Sequence, residues 1–228
     1  MEYDLLGRPI LTPAQKRAEK RAEKAAYAKG LACYEHIQAL LQAGDLTGAV
    51  RAITPFQAAE YYDQAIKAVA MAQVQAGELL AAVATAQRSR HYKDEVVDSV
   101  IQVLLQRGDV AGAEWLAATV TGFALVGMMQ RIAEAQHQAG SVEAARHTLT
   151  RARESAENFY EGDMKNGYPR SYYLSDLVKA QLRLDDVAGA THTAQLIDRA
   201  EYQSPAFRAI EEHTADAADN ARREADLS

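Results

Sequence analysis

Cysteine, proline, aromatic side chains and long apolar runs are all scarce in this 228-residue chain. The single cysteine, Cys33, excludes an internal disulfide, so a reducing compartment is compatible. Five prolines and few β-branched runs leave little material for sheets. The longest stretch free of charge, Trp115 to Gln130, is short for a membrane span. It also holds Gly122 and Gly127 at a place suited to a helix junction, and is read as two packed helices and their turn. The opening Met-Glu-Tyr-Asp lacks the basic start and apolar core of a secretory signal. The expectation is a soluble, cytoplasmic protein with no membrane partner.

Catalytic signatures are missing as well. The six histidines are scattered, with no His-x-x-x-His or Cys-x-x-Cys spacing to hold a metal. No glycine loop could cradle a phosphate, and no Gly-x-Ser-x-Gly elbow presents a nucleophile. The acid pairs Asp185-Asp186 and Glu211-Glu212 read as helix caps and solvated faces. No catalytic residue, metal or cofactor is therefore expected, and the chain is read as a non-enzyme.

What remains is 48% hydrophobic but only 7% aromatic, so alanine, leucine and valine supply the apolar mass. Alanine favours helices and lets them approach closely, which points to an all-α fold. A phrase then recurs: Gln-Ala-Gly-Asp at 42–45, Gln-Ala-Gly-Glu at 75–78, Gln-Arg-Gly-Asp at 106–109 and Gln-Ala-Gly-Ser at 138–141. Arg-Leu-Asp-Asp at 183–186 is a degenerate fifth copy. The glycines step by 33, 31 and 32 residues, a period that marks stacked helix–turn–helix units. Five positions past each turn stands an alanine: Ala49, Ala82, Ala113, Ala145 and Ala190. Each turn glycine can end a first helix, and the Asp, Glu or Ser after it can cap a second.

The spacing predicts helix pairs at 31–43 with 46–53, 56–76 with 79–90, 93–107 with 110–120, 124–139 with 142–158, and 171–184 with 187–200. Thr12-Pro13, Thr54-Pro55 and Ser204-Pro205 read as helix starts, the last opening a polar capping helix over about 205–224. The expected organisation is a leader and basic helix over 1–30, a solenoid of about five repeats over 31–203, and a C-terminal capping helix over 204–228. An insertion at 158–170 is turn-rich and carries Tyr160 and Tyr168, which are candidates for partner contact.

The units resemble tetratricopeptide repeats. Matched to that family, the helix-crossing residues fall at Ile37, Ala70, Ile101, Ala133 and Val178, with the alanine column as their counterpart on the second helices. The family's first-helix aromatics are mostly absent and the period is shorter, which leaves open a related solenoid with other helix angles. The resemblance covers about residues 31–200 and implies binding of a protein or peptide in a concave groove. By the same register that groove is lined by Tyr34, Gln38 and Leu41, by Lys67, Met71 and Val74, and by Asp98, Gln102 and Leu105. Gln130, Glu134 and His137 continue it, followed by Ser175, Lys179 and Leu182. An ordinary solvated helix face is the alternative. The column Gln42, Gln75, Gln106 and Gln138 either ladders a ligand or satisfies helix ends. Tyr61-Tyr62, Tyr92 and Tyr172-Tyr173 suit interfaces or packing between hairpins.

The two ends oppose each other in charge. Six cations against two acids give 13–30 a net +4, and six acids against two arginines give 211–228 a net −4, within a total of −6. The basic segment has three readings: a solvated helix, a contact with nucleic acid or an acidic protein, or association with the acidic helix of another copy. The leading function is a protein-interaction adaptor or scaffold; a nucleic-acid-associated regulator using the basic helix is the second. Toxin neutralisation, secretion chaperoning and assembly scaffolding all fit the same architecture.

Overall fold

The computed structural model describes residues 12–53, 59–89, 91–159 and 169–226. Eleven helices account for the regular structure among them, with no strand. They are α1 (Pro13–Gln42), α2 (Leu46–Ala52), α3 (Ala59–Gln75), α4 (Leu79–Ala86), α5 (Lys93–Gln106) and α6 (Val110–Ala117), followed by α7 (Phe123–Gln138), α8 (Val142–Glu157), α9 (Arg170–Leu182), α10 (Val187–Gln195) and α11 (Ala200–Asp226). No helix among these residues is long and apolar enough to cross a membrane. The described residues are all-α: five helix–turn–helix hairpins follow one another along the sequence, preceded by a basic extension of α1 and followed by a capping helix.

All five turns are built alike. Gly44, Gly77, Gly108 and Gly140 take φ of 76°, 81°, 76° and 78°, and Asp185 takes 53°. Around each turn the residue at positive φ donates its N–H to a carbonyl three residues back, and the next residue donates five back. Examples are Gly44 to Leu41 with Asp45 to Leu40, and Asp185 to Leu182 with Asp186 to Gln181. This double bond satisfies the carbonyls that a helix end leaves open. The sequence's degenerate fifth phrase thus folds as the other four do, with an aspartate in the left-handed region.

Caps divide by residue type. Asp45, Asp109 and Asp186 accept from the N–H of Gly48, Gly112 and Gly189, whereas Glu78 and Ser141 make no such side-chain bond. The alanine column and the crossing residues are buried throughout, none of the ten exceeding 1% exposure. An alanine at such a crossing leaves room for a close helix approach.

Two compact units form, Met1–Ser99 and Val100–Ser228. In the first, Ile37, Ala49, Ile53, Ala65, Ile66 and Val69 make one core, with Tyr34, Leu41 and Tyr62 packed against it. In the second, the core runs from Val126 through Leu149, Leu174 and Leu177 to Ile210. Within each unit first helices touch the next in line, α1 on α3, α7 on α9 and α9 on α11.

Three boundaries differ from the sequence reading. The basic segment and the first hairpin helix are one helix, α1, running through a buried Gly30. The second helices α4, α6 and α10 stop three to five residues early. After α4, the Ser89 hydroxyl draws in the N–H groups of His91 and Tyr92 at 3.2 and 3.0 Å. Past α6, Gly122 caps the next helix at φ 79°. The capping helix opens at Ala200 rather than at Pro205, which lies inside it. Its first turn is set when the Arg199 carbonyl accepts from Tyr202 and Gln203, while Arg199 donates to the Ser171 hydroxyl. Proline near a helix start sacrifices one bond only, so the helix tolerates it. The Thr54-Pro55 start lies outside the described residues, as do Tyr160 and Tyr168. The Thr12 start is as expected, a capping box with Gln15 and Pro13 in the first turn.

Candidate functional site

In the second unit, α7 and α9 flank a cavity of about 240 Å³ with Leu149 of α8 in its wall. Gln130, Glu134 and His137 share one face of α7 by their helical spacing and all three line it, together with Gly127, Arg131 and Gln138. From α9 and the turn after it come Ala180, Arg183 and Leu184. Gly127 leaves open space where a side chain would stand. The lining therefore combines an apolar base with two guanidinium groups, one imidazole and one carboxylate. Such a surface can hold an extended chain by side-chain pockets and amide hydrogen bonds.

Arg131 and Arg183 were not among the residues the groove register selected. On α9 the register chose Ser175, Lys179 and Leu182. Ser175 and Leu182 are buried, and Lys179 is exposed with its ammonium 2.9 Å from Asp176. The cavity instead meets the positions one further along, Ala180 and Arg183. A signal for Arg183 existed, since it replaces the Gln that precedes the turn residue by two in the other copies.

In the first unit, Tyr34 and Gln38 lie half-buried on α1 and Lys67 and Met71 half-buried on α3. The Tyr34 ring is 6.0 Å from that of Tyr61, which meets Tyr27 edge-on at 5.1 Å and donates a 2.7 Å hydrogen bond to its hydroxyl. Lys67 reaches Glu95 at 2.7 Å and sits 4.8 Å from the Tyr92 ring centre. The hydrogen bond to Glu95 holds the Lys67 ammonium above its ordinary 10.5; partial burial pulls the other way, and the Glu95 charge and nearby Tyr92 and Tyr34 add to the rise. Asp98 is half-buried and Gln102 exposed on α5.

Tyr172, Tyr173 and Tyr202 pack hairpin to hairpin. Tyr173 stacks on Phe123 at 4.7 Å and lies edge-on to Phe159, while Tyr172 meets Tyr202 of α11. The Gln42, Gln75, Gln106 and Gln138 column ends four first helices and is exposed. A second glutamine column, not picked out from the sequence, is buried two residues earlier at Gln73, Gln136 and Gln181. Gln136 donates to Glu114 of the preceding helix at 2.7 Å, tying hairpins together. Among the described residues no group of three or more His, Cys, Asp or Glu could hold a metal.

These features define a helical repeat protein. No protein-family model matches the chain, and no curated protein matches it. Among solved structures it is similar to a "Circular tandem repeat protein with novel repeat topology and enhanced subunit contact surfaces", at 15% identity and a TM-score of 0.33. The match covers 93% of this chain, which spans about half of that protein, 52%.

Proposed function

We propose that this protein is a non-enzymatic adaptor, tetratricopeptide-like in its repeats, that binds a peptide or protein segment along the inner faces of its first helices. The observation that carries this reading is the cavity between α7 and α9, where Gln130, Glu134 and His137 converge on open space beside Arg131 and Arg183. Residues spaced for one helix face, facing a second helix across a hollow, suit a guest chain better than a small reacting molecule.

The test is selection of binding peptides from a random displayed library, followed by titration of synthetic peptides. Replacing Gln130, Glu134 and His137 by alanine should weaken the selected peptides at least about tenfold, equivalent to about 1.4 kcal/mol. Peptides that bind the triple variant as well as the parent would place recognition elsewhere and end the proposal.

A further inference from the structure

Two helix stretches are exposed among the described residues, one in the N-terminal part of α1 and one in the C-terminal part of α11. In α1, Pro13 to Ala25 is exposed all round, as are Tyr27, Ala28 and Lys29. In α11, every described residue from Thr214 to Ala225 is exposed, although the same helix is packed on α9 and α10 as far as Ile210. These exposed stretches are 12–13 residues long, about 18–20 Å of helix at 1.5 Å per residue.

Their chemistry is complementary. Along α1, Lys16, Lys20 and Lys24 form one four-residue row and Arg17 and Arg21 the next, so five cations share a side, with Glu19 and Glu23 flanking the lysine row. Ala14, Ala18, Ala22 and Ala25 border that side. Along α11, the packed face of Ala206 and Ile210 runs on as the exposed Thr214, Ala217 and Ala221. Glu211 borders it, while Glu212, Asp216 and Asp219 form one exposed row on the opposite side of the helix. Among the described residues, His213 ties this helix to its own unit, its Nε2 lying 3.0 Å from Asp185. The charges over 13–30 and 211–228 are equal and opposite at +4 and −4, and each helix carries a row of its charge along one side.

We infer that the occupant of each face is a second copy of this chain: the basic segment of α1 lies along the acidic segment of α11 in a neighbouring molecule. A net charge of −6 on the whole disfavours nucleic acid as the general partner, whereas the acidic segment is a partner present at equal concentration. One contact leaves a free arm at each end, so exchange between two copies would close a dimer and one-way pairing would build a chain.

The experiment is sedimentation of the full chain across salt concentration. At low salt the parent should sediment at twice the chain mass or more, and it should return to monomer near about 0.5 M salt, where exposed charges are screened. Changing Lys16, Arg17, Lys20 and Arg21 to Gln should weaken association at least tenfold without changing the circular dichroism of the hairpins. A charge-swapped pair provides the second test: K16E/R17E/K20E/R21E mixed with E211K/E212K/D216K/D219K should associate, while each alone should lose most self-association. A parent that stays monomeric at low salt overturns the inference, as does association that survives the Gln changes. A monomer that instead retards a single-stranded oligonucleotide through the same cations overturns it in favour of nucleic acid.

Discussion

At the residue scale the chain shows a pairing that its own repeats test internally. Where the capping residue is aspartate, the third residue after it is glycine: Asp45 with Gly48, Asp109 with Gly112, Asp186 with Gly189. Where the cap is Glu78 or Ser141, that position holds Ala81 or Ala144. A Cβ on Gly112 would sit 2.5 Å from an Asp109 carboxylate oxygen, and one on Gly48 or Gly189 2.1 Å from its own aspartate. The carboxylate can escape only by leaving the cap. A lost cap costs about 1 kcal/mol, close to what Gly→Ala adds to an exposed helix, so the two effects compete. Gly112→Ala should thus stabilise an Asp109→Ala background by about 1 kcal/mol and give little or nothing in the parent. Urea unfolding of the four-member cycle measures this, and equal stabilisation in both backgrounds would show that the cap and the glycine are independent. The pattern was present in the sequence three positions past each turn, but its cause is a contact that spacing alone does not display.

Elements were legible to different degrees. The alanine column, the crossing residues and all five turns could be read from period and type, because each is fixed by local backbone demands repeated in register. The ends of α4, α6 and α10 could not: irregular turns at Ser89 and Gly122 follow the first two, and the Ser171–Arg199 contact after the third joins distant parts of the chain. The candidate site divides the same way: the α7 residues follow helical spacing, while Arg183 depends on how α9 faces α7. One contact between elements lends itself to titration. Lys67 on α3 and Glu95 on α5 are 36% and 51% exposed, so their pair is worth no more than about 1 kcal/mol and weakens with salt. The folded state raises the Lys67 pKa above 10.5, so the pair stabilises below that pH, and this is lost as pH rises through the folded value. Parent and Glu95→Gln should differ slightly in thermal stability at neutral pH and converge in strong alkali. A gap that stays constant across that range would show the Lys67 charge is not involved.

For the molecule as a whole, stability should be graded rather than uniform. A stretch of 12–13 exposed helical residues is marginal in water, since little burial supports it. Hairpin helices instead bury Ile66, Val69, Leu149, Leu174 and Leu177 almost fully. Amide exchange of dilute protein at high salt should therefore be fast over residues 16–25 and 215–225. It should be slow through the middle of α3, α8 and α9, by factors that reflect unit unfolding rather than fraying. If these ends are where copies meet, concentrating the protein at low salt should slow exchange in both terminal segments together and leave the hairpin cores unchanged. Protection in one segment only would point to a different ligand for it. Equal protection of arms and cores in the dilute monomer would mean that the free helices are held by their own chain. The solvated reading of the exposed ends would then fail along with the pairing it suggests.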